Sequence, residues 1–287
     1  MRHPLNGIIK YSNFIKLEHS LFALPFGIAS YFLILNKIEF SLYTFTFLIL
    51  SMISIRAYGM AINRIIDKKI DALNPRTKKR ELVTGEISIN SAVILTIISL
   101  LIFFITLTQF NIRALWLSPI VILVFTIYPF TKRITYLCHF FLGLVYLIVP
   151  PAIEIAVTGA ISLETLVLGI SGFFWVSGFD IIYAILDVDF DKKENIYSIP
   201  SKFGISNSIK LAWICHFFTL LGIGSLGIIQ ELGPIYWVGC TILLALFGRE
   251  HMIIMTINKK NVEKAFFDMN WIISFTLMIL IIITSTI

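Results

Sequence analysis

The sequence has few charged residues, few acidic residues and few cysteines. Charged residues make up 14% of the 287 residues, with 17 aspartates and glutamates against 23 lysines and arginines. The three cysteines, Cys138, Cys215 and Cys240, form no CxxC pair, which argues against a zinc site or a disulfide framework. Hydrophobic residues make up 57% of the chain, and the mean hydropathy is +0.89. This composition excludes an ordinary soluble enzyme and indicates a membrane protein.

Long apolar segments recur along the whole chain. A helix needs about 20 mostly apolar residues to cross the hydrocarbon layer of a bilayer. The segments of suitable length are 18–36, 42–63, 88–109, 112–129, 134–158, 163–187, 208–230, 234–256 and 267–287. They are continuous rather than alternating, which favours helices over a β-barrel. The sequence therefore predicts an all-α integral membrane protein, with about nine transmembrane helices in a single domain over residues 1–287.

The basic residues are distributed unevenly between the two ends of these segments. Nearly all lysines and arginines fall on the side that holds the N-terminus, and only Lys37 and Arg113 fall on the opposite side. By the positive-inside rule, the N-terminal side is cytoplasmic and the C-terminus lies outside, as in a protein of the inner membrane. The net charge of +6 follows from this topology and from anionic lipids. We therefore predict the lipid bilayer, and no nucleic acid, as a partner.

The first of two aspartate clusters ends the second apolar segment. Six of the seven aspartates of the chain lie in these two clusters. Asn63, Asp67 and Asp71 are spaced four residues apart, so on a helix they share one face over two turns. Arg56 lies seven residues before Asn63, on the same face and deeper in the predicted membrane. The spacing predicts that the oxygen atoms of this face converge.

The second cluster ends the sixth apolar segment. Asp180 and Asp187 are seven residues apart, Asp191 continues the four-residue step, and Tyr183 lies between them near the same face. Asp180 sits within an apolar run that has no lysine or arginine nearby in sequence, where an unpaired charge is costly. Asp189 lies off the shared face, as expected of a solvated side chain.

The two clusters together predict a metal site. Mg²⁺ takes oxygen ligands and is usually held by one or two carboxylates plus substrate phosphates. Two facing clusters therefore suggest that Mg²⁺ bridges the protein to a diphosphate. The predicted metal ligands are Asn63, Asp67, Asp71, Asp187 and Asp191, and the four aspartates are the predicted catalytic residues. The simpler interpretation of one cluster is a solvated helix end paired with neighbouring lysines, but two matching clusters favour a site.

Basic and aromatic residues near the clusters complete the predicted site. Lys132 and Arg133 follow Tyr128-Pro129, and Arg80 lies in the first polar loop. These basic side chains suit the binding of phosphate. The alternative is that they only reflect the excess of basic residues on the cytoplasmic side of a membrane protein. Aromatic faces favour a nearby cation. The predicted substrate-binding residues are Arg56, Asn63, Arg80, Tyr128, Lys132, Arg133, Asp180 and Tyr183.

Three motifs in order resemble the UbiA superfamily of intramembrane prenyltransferases over nearly the whole chain. The first is N-x-x-x-D-x-x-x-D from Asn63, followed by a loop that begins Asn74-Pro75-Arg76-Thr77. The second is the Tyr128-Pro129 segment that ends in Lys132 and Arg133, and the third is D-x-x-x-D from Asp187, after Tyr183. The Asn-Arg-Ile-Ile-Asp form, with Asn-Pro-Arg-Thr, resembles the 4-hydroxybenzoate polyprenyltransferase branch, which includes relatives of the futalosine route to menaquinone.

The resemblance implies a helical bundle around a central cavity that opens laterally to lipid. The aspartate motifs would hold Mg²⁺ and the diphosphate of a polyprenyl donor, and an aromatic acceptor of the 4-hydroxybenzoate type would attack the prenyl group in ubiquinone or menaquinone biosynthesis. A naphthoate of the futalosine pathway is the alternative acceptor. Asn13, His19 and Arg56 are candidate acceptor contacts by position. Arg64 departs from the family, in which many members carry aspartate after the motif asparagine, so one potential metal ligand is absent.

Two other functions compete with this interpretation. A divalent-cation transporter would also cluster carboxylates within the membrane. Against it, both clusters lie at helix ends beside basic loops, and the outer half of the sequence has no matching charged path. An enzyme of lipid headgroup transfer also uses Mg²⁺ and aspartate motifs, but its more closely spaced acidic motif is absent here.

Overall fold

The computed structural model describes residues 4–17, 20–256 and 258–286, and no strand occurs within these ranges. The helices are α1 (Pro4–Phe14), α2 (Ser20–Leu33), α3 (Leu42–Leu73), α4 (Glu81–Thr84), α5 (Ile89–Leu107), α6 (Ile112–Thr131), α7 (Cys138–Thr158), α8 (Leu163–Ala184), α9 (Val188–Lys193), α10 (Ile199–Ile229), α11 (Pro234–Met255), α12 (Lys259–Lys264) and α13 (Asn270–Thr286). A 3₁₀ turn (Ile185–Asp187) joins α8 to α9, and a π turn (Ala265–Met269) joins α12 to α13.

The prediction of an all-α integral membrane protein is confirmed. Eight helical stretches of the described chain are long and apolar enough to cross a membrane, and the shorter apolar stretch Ala23–Leu33 within α2 accompanies them. The helix observed within the predicted segment 18–36 is thus shorter than expected, since α2 ends at Leu33. Glu18 and His19 lie outside the described residues, so the candidate role of His19 is not tested.

Helix α3 extends ten residues beyond the predicted segment 42–63. The Ser41 hydroxyl accepts a hydrogen bond from the Thr44 amide at its start, and Asn74 ends it in an extended conformation before Pro75. The polar loop after α3 therefore begins at Asn74. Because α3 is continuous to Leu73, Asn63, Asp67 and Asp71 lie on one helix, as their spacing predicts.

The helix of the predicted segment 208–230 begins nine residues earlier than expected. Residues Val188–Lys193 form α9, and α10 already begins at Ile199. Ser198 and Ser201 form a reciprocal capping box at the start of α10, and Pro200 occupies its first turn, where proline is tolerated. Gly204 has a φ of +79° and kinks α10 rather than ending it. Pro200 and Gly204, which are residue types typical of loops, therefore lie within a helix.

Helix α8 lies at the centre of the bundle, packed between α7 and α10. Gly169 permits a close approach of α7, because a Cβ atom there would lie 2.4 Å from the Leu147 carbonyl oxygen. A core of aromatic and aliphatic side chains around Trp175 joins α8 to α2, α10, α11 and α13. This packing fixes α8 opposite α3, the helix that carries the first aspartate cluster.

Candidate active site

A charged cavity of about 430 Å³ lies where α3 and α8 end on the same side of the bundle. One wall comes from α3 and the loop that follows it, and the opposite wall comes from α8, the 3₁₀ turn and α9. The predicted site residues that line the cavity are Asn63, Asp67, Asp71, Arg80, Tyr128, Lys132, Asp180, Tyr183, Asp187 and Asp191. The structure therefore brings both aspartate clusters to one cavity. Asp189 is exposed and does not line it.

The aspartates of the first cluster are buried and paired with basic side chains. Asp67 accepts hydrogen bonds from Lys132 and, at 3.2 Å, from Arg133. Asp71 accepts a hydrogen bond from Arg80 at 2.6 Å. These pairs connect α3 with the end of α6 and with the loop before α4. Buried carboxylates are stable only with such partners.

Asp187 is held by the loop that follows α3. The Asn74 side-chain amide and the Arg76 Nε each donate to its Oδ1 at 2.9 Å, and Arg76 Nη2 donates to Oδ2. Arg76 Nη1 also donates to the Tyr183 hydroxyl at 2.8 Å. Burial by itself lowers the pKa of Arg76, but the hydrogen bond to Asp187 and nearby negative charge outweigh it, so that this pKa is raised. Arg76 therefore stays charged and fixes the Asp187 carboxylate in one orientation.

Two aspartates of the second wall have partners other than lysine or arginine. Asp191 accepts a hydrogen bond from the Ser198 hydroxyl at 2.7 Å. Asp180 forms a 2.7 Å hydrogen bond with His139 Nδ1 on α7, and the Ile199 amide donates to His139 Nε2 at 3.3 Å. The isolated position of Asp180 in the sequence is thus explained by a partner 41 residues away.

Two predicted site residues lie outside the charged cavity. Arg133 is exposed at the end of α6 and reaches Asp67 from outside. Arg56 lines a second, apolar cavity, and its guanidinium donates to the Lys16 carbonyl at 3.2 Å. Arg64 is buried and donates to the Phe14 carbonyl at 3.4 Å, so the departure from the family motif adds a cation to the wall. Asn13 is exposed on α1.

Sequence reasoning missed four residues of the site: Asn74, Arg76, His139 and Ser198. Asn74 and Arg76 belong to the loop that follows the first family motif, so the motif itself could have indicated that they are part of the site. His139 and Ser198 gave no comparable signal, because their partners Asp180 and Asp191 are identified only by the packing of α7, α9 and α10.

The donor chemistry of the cavity suits a hard divalent cation. Its acidic and amide side chains offer oxygen ligands from both walls, which is the chemistry that Mg²⁺ prefers. Within the described residues, no group of three or more His, Cys, Asp or Glu side chains converges as it stands into a metal site. The basic and hydroxyl partners described above occupy the carboxylates instead. Asn63, Asp67, Asp71, Asp187 and Asp191 remain the predicted ligands.

The second cavity is an apolar chamber of about 500 Å³. It runs between α3, α5, α6 and α7 and is lined mainly by aliphatic and aromatic side chains, with Arg56 as a charged exception. Met60, Asn63 and Tyr128 line both the charged cavity and this chamber, so they mark the place where the two meet. The pair of cavities suits a long apolar molecule with an anionic head.

A helical membrane bundle with these two joined cavities defines a class of intramembrane proteins that handle an amphiphile. Residues 23–274 match the UbiA prenyltransferase family. The 4-hydroxybenzoate octaprenyltransferase of Shewanella sp. (strain W3-18-1) is 32% identical over 223 residues, which are 78% of this chain and 78% of the relative. That of Shewanella oneidensis is 33% identical over 230 residues, again 78% of each chain.

Solved structures agree with this assignment. The apo structure of a UbiA homolog from Aeropyrum pernix K1 matches with a TM-score of 0.83 and 30% identity, over 93% of this chain and 98% of the homolog. The UbiA homolog from Archaeoglobus fulgidus bound to GPP and Mg2+ shares the fold, with a TM-score of 0.73 and 19% identity, over 95% and 99% of the two chains. The chain therefore belongs to the UbiA prenyltransferase family and is a polyprenyltransferase. This assignment excludes the transporter and headgroup-transfer interpretations.

Proposed function

We propose that the chain transfers a polyprenyl group from a polyprenyl diphosphate to an aromatic acceptor of the 4-hydroxybenzoate type, with Mg²⁺ as cofactor, in quinone biosynthesis. The observation that supports this most is the junction of the charged cavity with the apolar chamber at Asn63 and Tyr128. A donor whose diphosphate lies among the aspartates would place its apolar tail in the chamber. Curated relatives named 4-hydroxybenzoate octaprenyltransferase support the choice of acceptor.

The aspartate clusters and the basic residues share the binding of the diphosphate. Asn63, Asp67, Asp71, Asp187 and Asp191 would hold Mg²⁺, which neutralises charge on the departing diphosphate. Arg80, Lys132 and Arg133 supply further positive charge on the side of the first cluster, and Arg76 does so on the side of the second. Cations held in place before the reaction stabilise the charge of a leaving group without further reorganisation.

Aromatic side chains support the prenyl group as positive charge develops on it. The Tyr183 ring lines the cavity and stacks on Phe266 with ring centroids 3.9 Å apart, so its position is fixed. Tyr128 lies at the entrance to the chamber. Ring faces attract a neighbouring cation, and an apolar surrounding keeps water from capturing it.

Arg56 is the proposed contact for the carboxylate of the acceptor. It is a guanidinium within an otherwise apolar chamber and lies two helical turns from Asn63 on the same face of α3. A benzoate or naphthoate ring fits an apolar surrounding, and its carboxylate requires a cation there. This contact does not discriminate between the two acceptors, so the naphthoate of the futalosine pathway remains the second candidate.

We also propose that the charged cavity faces the cytoplasm of a cell with this protein in its inner membrane. The lysines and arginines around the cavity follow the positive-inside rule. Hydrogen bonds from Arg56 and Arg64 to the Lys16 and Phe14 carbonyls attach the N-terminal segment to α3 near the same cavity. With about nine crossings, the proposed topology has the N-terminus inside and the C-terminus outside.

A membrane-fraction assay tests the reaction, the cofactor and the branch together. Radiolabelled polyprenyl diphosphate is incubated with 4-hydroxybenzoate, with and without Mg²⁺. The expected result is an organic-extractable prenylated product that forms only with Mg²⁺. If product forms with a naphthoate acceptor and none forms with 4-hydroxybenzoate, the protein is assigned to the futalosine branch instead. Absence of diphosphate release with either acceptor would contradict the proposal.

A further inference from the structure

We propose that Asp180, positioned by His139, is the general base that removes the proton which the acceptor ring loses. The proposal rests on the proposed function, since it concerns the same reaction. It assigns a step that neither the motifs nor the relatives' names identify. Four observations carry it: the kind of partner that Asp180 has, the hydrogen-bonding state of that partner, the depth of Asp180 in the cavity, and its access to the cavity.

Asp180 differs from Asp67, Asp71 and Asp187 in its partner, and unlike Asp191 it is not among the predicted metal ligands. Asp67, Asp71 and Asp187 are each paired with lysine or arginine. Within the described chain, the ion-pair partner of Asp180 is His139 alone. A carboxylate bound to a permanent cation is stabilised in its charged form and accepts a proton poorly. Asp180 has no lysine or arginine partner within the described chain.

The hydrogen bonds of His139 define which of its nitrogen atoms carries hydrogen. The Ile199 amide donates to Nε2 at 3.3 Å, so Nε2 acts as the acceptor of this contact. Nδ1 therefore carries the hydrogen and donates it to Asp180 Oδ2. His139 is buried on α7 and cannot rotate freely. The His139 imidazole thus holds Oδ2 of the Asp180 carboxylate through Nδ1 and leaves the other oxygen available.

The depth of Asp180 matches the place where the ring must react. Asp180 lies seven residues before Asp187, about 10 Å further into the membrane along α8. Asn63 and Tyr128 mark the junction of the two cavities, and Asp180 lines the charged cavity with them. If the diphosphate lies between the two clusters, the reacting carbon of the donor points toward this junction. The acceptor ring that attacks this carbon would then contact the cavity wall formed by α8.

The reaction needs a base at this point. The bond between the donor C1 and the diphosphate oxygen breaks, and its electron pair leaves with the diphosphate. A ring carbon of the acceptor forms a bond to C1 and must then lose its hydrogen to become aromatic again. In our proposal the C–H electron pair returns to the ring, and the proton moves to an Asp180 carboxylate oxygen. The Asp180 side chain is 16% exposed, so the proton can leave through the cavity to water afterwards.

Asp180→Asn tests the base directly, because it keeps the size of the side chain and removes the proton acceptor. We expect kcat to fall by at least about 100-fold with an unchanged KM for the donor. With an acceptor deuterated at the reacting ring position, the variant should show a larger isotope effect than the wild type, because proton loss has become rate-limiting. Asp189→Asn is the matched control, since Asp189 is exposed on α9 outside the cavity.

Two variants of His139 test its positioning role. His139→Asn keeps a side-chain N–H close to the position of Nδ1, whereas His139→Leu removes it. We expect His139→Leu to lower kcat by about tenfold, as for one hydrogen bond to a charged group, with donor KM unchanged and the isotope effect increased. His139→Asn should recover most of the lost rate. Equal losses in both variants would overturn the positioning role.

The outcomes separate this proposal from the proposed function. A wild-type-like kcat in Asp180→Asn overturns the base assignment while wild-type product still supports the transferase. Loss of donor binding in that variant, seen as a raised donor KM, also overturns it, because Asp180 would then hold the diphosphate or its metal. A wild-type protein that forms no prenylated ring overturns both proposals at once.

Discussion

At the scale of single residues, Asp187 has the most complete set of partners in the site. Asn74 and Arg76 both come from the loop after α3, whereas Asp187 follows α8. The loop of one motif therefore orients the carboxylate of the other. An arginine that binds a carboxylate with two nitrogens fixes its plane as well as its position. Changes in either partner should consequently affect both walls of the cavity.

Asp187→Ala should abolish turnover and leave insertion in the membrane intact. The substitution removes a predicted Mg²⁺ ligand and leaves the Arg76 guanidinium without its carboxylate. Prenyl transfer in membrane fractions, with the amount of protein measured by immunoblot, checks this expectation. Asp67→Ala should behave in the same way. Asp189→Ala, which changes an exposed aspartate nearby, should retain activity, and wild-type-like rates in Asp67→Ala or Asp187→Ala would contradict the two-motif site.

Lys132 and Arg133 offer a matched comparison of adjacent basic residues. Both bind Asp67, but only Lys132 lines the charged cavity, while Arg133 is exposed. Lys132→Ala should therefore raise the donor KM by about tenfold, the effect of losing one hydrogen bond to a charged group. Arg133→Ala should change it less. Initial rates over a range of donor concentrations check the order, and equal effects would show that the cavity lining does not decide the phosphate contact.

The sequence predicted positions along one helix better than contacts between helices. The four-residue spacing on α3 correctly placed Asn63, Asp67 and Asp71 on one cavity wall. The pairing of Asp180 with His139 joins residues 41 apart, and that of Asp187 with Arg76 joins residues 111 apart. Helical periodicity describes neighbours on one helix only, so it contains no information on such pairs.

At the scale of the elements, α10 shows how local signals compete. Pro200 and Gly204 are residue types typical of a chain reversal, yet the capping box of Ser198 and Ser201 begins a helix at this point. Proline in the first turn lacks only an amide that has no helical partner there. Glycine adopts a positive φ at little cost, so the helix can bend and continue. Residue type alone does not distinguish such a kink from a loop.

Gly204→Ala should destabilise the protein by about 1–3 kcal/mol, because its positive φ with a ψ of 166° is a backbone conformation essentially restricted to glycine. The φ of Gly204 is +79°, and a Cβ atom there would meet nothing within 4 Å, so the cost comes from the backbone alone. Gly224→Ala on the same helix is the control, because its added Cβ also meets nothing within 4 Å and no positive φ is involved. Thermal unfolding in detergent should show a lower midpoint for Gly204→Ala only.

At the scale of the whole molecule, the charged cavity and the apolar chamber form one continuous path. Composition alone predicted a helical membrane protein, and the motifs predicted where its charges meet. The chamber was not predictable, because its lining comes from side chains on four or more helices that look like ordinary lipid-facing or core residues in sequence. Its position relative to the aspartates nevertheless determines where the tail of a bound donor must lie.

The length of the chamber should limit the length of the prenyl chain. Ala114 lines its far part and lies 18 residues before Lys132 on α6, about 27 Å away along the helix. Ala114→Trp should therefore reduce turnover of a long polyprenyl diphosphate and spare geranyl diphosphate, whose short tail ends before that point. Val93→Trp is the control, since Val93 on α5 is exposed and does not line the chamber. Rates with both donors check the expectation. An equal loss with short and long donors would place the tail elsewhere, whereas a selective loss with the long donor would show that the chamber holds it.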